Sequence, residues 1–169
     1  VGEAGVIDIV TRAPDATPRA QVDASFASRN NHALDAGASG PLSGNVYASL
    51  AASKDGGDGY LNNLVGRHDY NGTDGANLRG RLVWKPDERS EVSAMLLAHH
   101  ANDDGGEIYA PVDQASFNAL LSLGGFQLGR FNQAIAAPGF NRGRSAFGAL
   151  SASRAGERVR WRATASWRG

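Results

Sequence analysis

The sequence contains no cysteine, and Lys54 and Lys85 are the only lysines among its 17 basic residues. Without cysteine there is neither a disulfide framework nor a thiolate metal site. No run of about 18 apolar residues occurs, so the sequence predicts no transmembrane helix. The 17 basic and 17 acidic residues cancel, whereas nucleic-acid-binding proteins usually carry a basic excess, and we expect no nucleic-acid partner.

The chain also lacks an initiator methionine and a charged-then-apolar leader, which a secretory signal peptide would show. Its hydrophobic fraction is 41%, much of it alanine, and 22 of the 169 residues are glycine. Large aliphatic side chains are too thinly spread for the core of an ordinary soluble domain of this length. We therefore interpret the sequence as a fragment of a longer protein.

Alternation of apolar and polar residues is the strongest pattern, and it predicts β-strands because successive strand side chains point to opposite faces. Seven segments alternate: Arg19 to Phe26, His32 to Ser39, Val46 to Ser53, Asn77 to Lys85, Glu91 to Ala98, Ser145 to Ala152 and Arg158 to Arg168. Half-buried strands of soluble proteins alternate in the same way, so this pattern alone does not separate a soluble sheet from a membrane barrel.

The last segment separates two kinds of side chain most clearly. One face carries Val159, Trp161, Ala163, Ala165 and Trp167. The other face carries Arg158, Arg160, Arg162, Thr164, Ser166 and Arg168. A strand of about 10 residues with an aromatic near each end is typical of a tilted membrane crossing. The arginines then line a wet interior, where acidic residues of a plug are the favoured partners and an anion path is the alternative.

The connections between the segments are unequal in length. The short ones, Gly40 to Asn45, Pro86 to Ser90 and Ala155 to Glu157, contain turn-forming residues. The long ones are Lys54 to Gly75 and His99 to Arg144, while Asn30-Asn31 is a short link on the long side. Short turns at one end and long loops at the other are typical of outer-membrane barrels. Within the second long link, Gln114 to Leu123 predicts a short helix.

Two polar clusters offer oxygen and nitrogen ligands for metals. His99, His100, Asp103, Asp104 and Glu107 could do so, but adjacent strand histidines point to opposite faces, and we favour a solvated loop base. Asp55 to Gly59 could hold calcium, yet its Asp-Gly pairs are ordinary turn formers, and we favour a turn.

Residues Gly5 to Pro14 read Gly-Val-Ile-Asp-Ile-Val-Thr-Arg-Ala-Pro. This segment resembles the strand that closes the plug domain of TonB-dependent outer-membrane receptors, although Asp8 stands where asparagine is more usual. Three later segments resemble parts of the same family in the same order. They are Ser39-Gly40-Pro41-Leu42, Asp58-Gly59-Tyr60 with Asn62 or Asn63, and Arg79-Gly80-Arg81-Leu82-Val83-Trp84-Lys85-Pro86. Beyond Pro86 the resemblance is only architectural.

The resemblance implies an all-β fold: a partial transmembrane antiparallel β-barrel, with about seven strands of a larger plugged barrel. Residues 1–14 would end the plug domain, and residues 15–169 would form the N-terminal part of the barrel domain. The implied location is the outer membrane of a Gram-negative bacterium. The implied partners are outer-membrane lipid and the TonB complex, which contacts an N-terminal segment missing from these residues.

The implied function is the import of a scarce nutrient, with a ferric siderophore as the first candidate ligand. Ligand contacts would come from Asp55 to Thr73 and from His99 to Arg144, the two regions on the long-loop side. The candidate ligand-binding residues are His99, His100, Asp103, Asp104, Tyr109, Phe117 and Phe126. For the loop aromatics, packing within the loop is the favoured role and ligand contact the second.

No catalytic motif occurs, and we expect neither an enzyme nor a bound cofactor or metal. The alternatives are a passive porin-like channel, which needs no plug-ending strand, and a soluble extracellular β-sheet binding module. A barrel enzyme is the most distant alternative.

Overall fold

The computed structural model describes residues 11–63, 71–104, 122, 132–133 and 140–169. Seven strands form the main sheet and two short strands form a separate pair. In chain order the strands are β1 (Arg19–Phe26), β2 (His32–Ser43), β3 (Val46–Gly57), β4 (Asn62–Asn63), β5 (Thr73–Asp87), β6 (Ser90–Asp103), β7 (Asn132–Gln133), β8 (Asn141–Ala155) and β9 (Arg160–Arg168).

The main sheet follows the chain order β1-β2-β3-β5-β6-β8-β9, and every neighbouring pair is antiparallel. Six of the seven predicted segments lie within these strands, and the seventh lies in β9 from Arg160 onward, which confirms the all-β class and the seven antiparallel strands. A meander of this kind is consistent with part of a β-barrel, in which sequential strands are neighbours. Among the described residues, no helix is both long enough and apolar enough to cross a membrane.

The short turns are tighter than the sequence predicted. β2 continues to Ser43 and β5 to Asp87, so the connections reduce to residues 44–45 and 88–89. Each hairpin contains a register shift, between Pro41 and Ser43 in the first and between Trp84 and Asp87 in the second. Proline lacks a backbone donor and is tolerated in sheets at such irregular positions. The prolines therefore mark irregular pairing near the turn, where the sequence suggested that pairing had stopped.

The expected turn at Asp55 to Gly59 is wrong for its first three residues, because β3 continues through Gly57. Gly56 and Gly57 pair with Asp74 and Thr73 on β5. A side chain at Gly56 would come within 2.9 Å of the ring of His32 on β2. Glycine is therefore needed here for close packing on a neighbouring strand, a use of glycine that its turn propensity conceals.

The last hairpin also differs from the prediction. β8 ends at Ala155 and pairs directly with Arg160, and the Gly156 amide donates to the Val159 carbonyl at 2.9 Å. Val159 and Arg158 therefore belong to a four-residue turn, and β9 begins at Arg160. The alternation continues into the turn in the sequence, but the turn's own hydrogen bond ends the strand pairing.

The strand register places the apolar sides of all seven strands on one surface, which we call the apolar face. Residues directly opposite each other on neighbouring antiparallel strands share a face. One row comprises Val22, Ala36, Ala52, Leu78, Ala98 and Ala146. The next comprises Ala20, Ala38, Leu50, Gly80, Leu96, Gly148 and Trp167. The opposite surface, the polar face, has rows such as Asp23, Asp35, Ser53, Asn77, His99 and Ser145.

In the described residues the sheet is a single layer. Each strand contacts only its hydrogen-bonded neighbours, and Leu61 and Val83 are the only buried hydrophobic residues in this part of the chain. On the apolar face Val22 is 70% exposed, Trp161 51% and Trp167 56%. A continuous apolar surface of this extent requires an apolar environment that the described residues do not provide.

Candidate functional site

The strand connections define two ends of the sheet. Of the described residues, the long-link end carries 27–31, 58–63, 71–72, 104 and 140, and the short-turn end carries 44–45, 88–89 and 156–159. Four predicted site residues lie at or next to the long-link end, on or just after β6: His99, His100, Asp103 and Asp104. The other three, Tyr109, Phe117 and Phe126, lie outside the described residues. Glu107 also lies outside them, and of the predicted helix Gln114 to Leu123 only Ser122 is described, in a helical conformation.

His99 lies on the polar face, within a short chain of polar side chains that crosses three strands. Its Nδ1 is 2.7 Å from Oδ1 of Asn77, and Nδ2 of Asn77 donates to Oγ of Ser53 at 3.0 Å. Because the amide oxygen can only accept, Nδ1 of His99 carries the proton in this contact. In the neutral imidazole Nε2 is then left as an acceptor, which can meet a hydrogen-bond donor.

His100 lies on the apolar face, between Ala76 of β5 and Arg144 of β8. Its Nδ1 is buried and has no hydrogen-bond partner in the described part of the chain. The structure therefore separates the two histidines to opposite sides of the sheet, as the sequence predicted from their adjacency. His100 does not reach the surface that carries His99.

Asp103 and Asp104 take different positions again. Asp103 lies on the polar face, and Nδ2 of Asn141 donates to its Oδ2 at 3.4 Å. It is four positions from His99, about 13 Å along an extended strand. The Asp104 backbone holds the start of β5: its amide donates to the Gly72 carbonyl at 2.9 Å and its carbonyl accepts from the Asn71 amide at 3.2 Å.

These positions show whether either polar cluster named in the sequence analysis brings metal-ligating side chains together. Among the described residues, no three His, Asp or Glu side chains converge well enough to hold a metal ion. Asp55 sits in the paired part of β3, with its side chain beside Gly75 of the next strand. In the described structure the Asp103 carboxylate accepts from Asn141, and the Asp74 carboxylate pairs with Lys54.

The connections at the long-link end are linked to one another. In the β1–β2 connection, the backbone carbonyl of Arg29 accepts from the Asp58 amide at 2.9 Å. Nη1 of the Arg29 side chain donates to the Gly59 carbonyl at 3.2 Å. The two long links also pair, since Asn62 and Asn63 form a parallel ladder with Asn132 and Gln133. Leu61, next to this ladder, is 5% exposed. The regions predicted to contact ligand thus share backbone hydrogen bonds.

The polar face contains a cavity of about 1070 Å³. Its lining includes charged side chains from three strands, among them Arg19, Asp35 and Arg79, and it also includes Arg12 and Ala13 from before β1. The chain therefore approaches the sheet from its polar side. Alternation predicted the polar lining, but only the fold brings residues 12–13 over it.

Asp15 fixes this approach. Both of its carboxylate oxygens accept from the Arg19 guanidinium, at 2.9 and 3.0 Å, and Oδ1 also accepts from the Thr17 amide at 2.8 Å. The hydrogen bonds from Arg19, and then that from Thr17, favour the charged form and lower the pKa of Asp15 from 3.8 to about 2. The junction before β1 is thus held by an ionised carboxylate at neutral pH.

Comparison with known proteins supports the resemblance at a general level. The pesticin receptors of Yersinia enterocolitica serotype O:8 / biotype 1B (strain NCTC 13174 / 8081), of Yersinia enterocolitica and of Yersinia pestis are each 32% identical to this chain over 89 residues. The match covers 52% of this chain and only 13% of each receptor. No protein-family model matches the chain, and no solved structure matches it significantly.

The similarity supports the general class that the motifs indicated, a TonB-dependent receptor of the Gram-negative outer membrane. It leaves the ligand open.

Proposed function

We propose that this chain forms the first strands of the barrel wall of a TonB-dependent outer-membrane receptor that imports a scarce nutrient. The observation that carries the proposal is the two-sidedness of the single-layer sheet. All seven strands expose their apolar sides on one face, while the other face carries rows of charged and polar side chains and bears a large cavity. Lipid outside and a wet, plugged interior are the environments that these two faces require.

The strand dimensions fit this assignment. β2, β3, β5, β6 and β8 contain 12 to 15 residues, more than the roughly 9–11 residues that a tilted strand needs to cross the hydrocarbon core. Trp84 and Trp161 lie near the short-turn end of the apolar face, where an interfacial aromatic girdle would sit. The short turns then face the periplasm and the long links face outward.

The approach of the chain to β1 supports a plug inside the barrel. Arg12 and Ala13 line the polar-face cavity, on the side where a plug would lie. We assign residues 1–14 to the end of the plug domain and residues 15–169 to the N-terminal part of the barrel domain. Import would be energised by the TonB complex through a receptor segment outside these residues.

For the ligand, a ferric siderophore remains the first candidate, captured by the long links. The two links pair with each other through β4 and β7, so a ligand contacting one can move both. His99 and Asp103 lie on the polar face below them and keep the proposed role of ligand contacts, together with Asp104, Tyr109, Phe117 and Phe126. His100, on the opposite face, is the weakest of the predicted contacts.

The test is ligand uptake by the full-length receptor after deletion of residues 108–139. We expect binding and import to fall to background while insertion of the barrel persists, because the deletion removes β7 but leaves the seven strands of the main sheet untouched. A heat-modifiable band on gel electrophoresis serves as the control for insertion. Wild-type import by the deletion variant would refute the ligand assignment, and import without TonB would favour a passive channel.

A further inference from the structure

On β3, β6 and β8 the apolar face ends at basic and titratable residues, whereas β1 and β2 continue it with Ala24 and Leu34. Beyond the row that contains Ala52, Leu78 and Ala146, the next row toward the long-link end contains Lys54, Ala76, His100 and Arg144. Arg142 lies one row further on the same face, opposite Asn102. We call Lys54, His100, Arg142 and Arg144 the basic rim. If the apolar face contacts lipid, the basic rim lies at the depth of the headgroups.

The charges of the basic rim are only partly balanced. Lys54 forms an ion pair with Asp74 on the neighbouring strand. Arg142 donates from Nε to Oδ1 of Asn102 at 2.9 Å, and its guanidinium lies 5.1 Å from the centre of the Phe140 ring. Neither contact neutralises its charge. Arg144 is exposed and forms no ion pair within the described part of the chain. The rim therefore carries a net positive charge even with His100 neutral.

A groove of about 500 Å³ opens beside the rim. His100 and Arg144 line it on the charged side, and Ala76, Ala98 and Ala146 contribute small apolar side chains. Methyl groups between larger neighbours leave a channel that an acyl chain can occupy. The unpartnered Nδ1 of His100 lies at this boundary between the charged and apolar parts.

We propose that the basic rim and its groove bind a phosphate-bearing lipid of the outer leaflet. Arg142 and Arg144 are two positions apart on one face, about 7 Å along β8, so both guanidinium groups can reach one phosphate. An acyl chain of the same molecule would lie over Ala76, Ala98 and Ala146. This inference rests on the proposed membrane function, because it requires the apolar face to meet lipid.

The test measures lipid retention by the full-length receptor, purified in a neutral maltoside detergent, by native mass spectrometry. The probes are dimyristoyl phosphatidic acid, dimyristoylglycerol with the same chains and no phosphate, and inorganic phosphate with no chains. We expect phosphatidic acid to bind far more tightly than either control. For the Arg142→Gln/Arg144→Gln variant we expect its dissociation constant to rise about 5-fold for each arginine removed.

A matched control is Arg79→Gln/Arg81→Gln, which removes two arginines with the same spacing from the polar face of β5. We expect this variant to retain phosphatidic acid as the wild type does. A second variant, Ala98→Phe, fills the groove without changing charge and should weaken phosphatidic acid binding several-fold. The lipid site would be overturned if both double-arginine variants lost the same affinity for phosphatidic acid. It would also be overturned if inorganic phosphate bound as tightly as phosphatidic acid.

The same preparation separates failure of this site from failure of the proposed function. A receptor that migrates as a heat-modifiable barrel but does not distinguish the three probes contradicts only the lipid site. A protein that stays in aqueous buffer without detergent contradicts both.

Discussion

At Asp15, three hydrogen bonds converge on one carboxylate just before the sheet begins. They direct the chain toward the polar face, where Arg12 and Ala13 line the cavity. A charged acceptor makes these bonds stronger than neutral ones. The local sequence Asp15 to Arg19 thus sets the geometry of a junction that the proposed function places between plug and barrel.

We predict that Asp15→Ala loosens this junction. The hydrogen bonds from Arg19 and Thr17 disappear, so the Thr17 amide should exchange with solvent several-fold faster relative to its intrinsic rate at pH 7. In the wild type the folded pKa of about 2 lies below the ordinary 3.8. The stabilisation is therefore present above about pH 3.8 and is lost as the pH falls toward 2.

Hydrogen exchange read by mass spectrometry measures both effects as protection factors. Asp35→Ala, also on the polar face, is the control and should leave Thr17 protected. Unchanged protection in Asp15→Ala would mean that the carboxylate does not hold the junction.

Gly148 accommodates the indole of Trp167 from the neighbouring strand. A Cβ at this position would lie 2.7 Å from Cε2 of Trp167, which is closer than van der Waals contact allows. Gly143, on the same strand, has nothing within 4 Å of the equivalent position. Glycine at 148 thus lets an aromatic ring cover the backbone of its cross-strand partner.

We therefore predict that Gly148→Ala forces Trp167 out of its position, at a cost of about 0.5–1.5 kcal/mol for a displaced rotamer. The measurement is the emission maximum of Trp167 in full-length protein in which Trp84 and Trp161 are phenylalanine. Gly143→Ala should leave the emission unchanged. If the two alanine variants give the same spectrum, the ring does not rest on Gly148.

At the scale of the element, consecutive residues of β8 face the two opposite surfaces of the sheet. Leu150 lies on the apolar face between Ala94 and Ala165, and Ala149 lies on the polar face between Met95 and Ser166. Leu150 is 56% exposed in this single-layer sheet. The proposed membrane assignment makes that exposed surface a lipid contact.

Leu150→Arg should destabilise the full barrel in lipid by about 2–4 kcal/mol, since a charge on the lipid face near the bilayer midplane is poorly solvated. Ala149→Arg, one residue away, should have a much smaller effect because it faces the wet side. Urea unfolding of the reconstituted protein compares them. A similar loss of unfolding free energy in both variants would contradict the assignment of the faces.

At the scale of the whole molecule, β1 and β9 each have a single neighbour in the described sheet. Each free edge carries unpaired backbone amides, which cost several kcal/mol apiece in hydrocarbon. Closure therefore needs further strands, as the proposed larger barrel supplies.

We predict that the 169-residue chain alone does not form a stable barrel in lipid. Refolding into detergent micelles followed by gel electrophoresis with and without heating tests this, with the full-length receptor as positive control. A heat-modifiable monomeric band from the isolated chain would show that seven strands suffice.

The sequence alone determined the strands and their two-sided character, because alternation is a local property with a period of two residues. It also separated His99 from His100, for the same reason. It misplaced the ends of β2, β3 and β9. Pro41 and Gly56 favour turns locally, and Val159 continues the alternation, whereas cross-strand packing and turn hydrogen bonds set the actual ends.

Only the tertiary structure decided which residues of distant strands meet. The rows that unite the seven apolar sides, the basic rim and the groove beside it all depend on register between strands. The pairing of the two long links likewise joins residues far apart in the chain. Register is set by hydrogen bonds between residues far apart in the chain, and no local pattern encodes that choice.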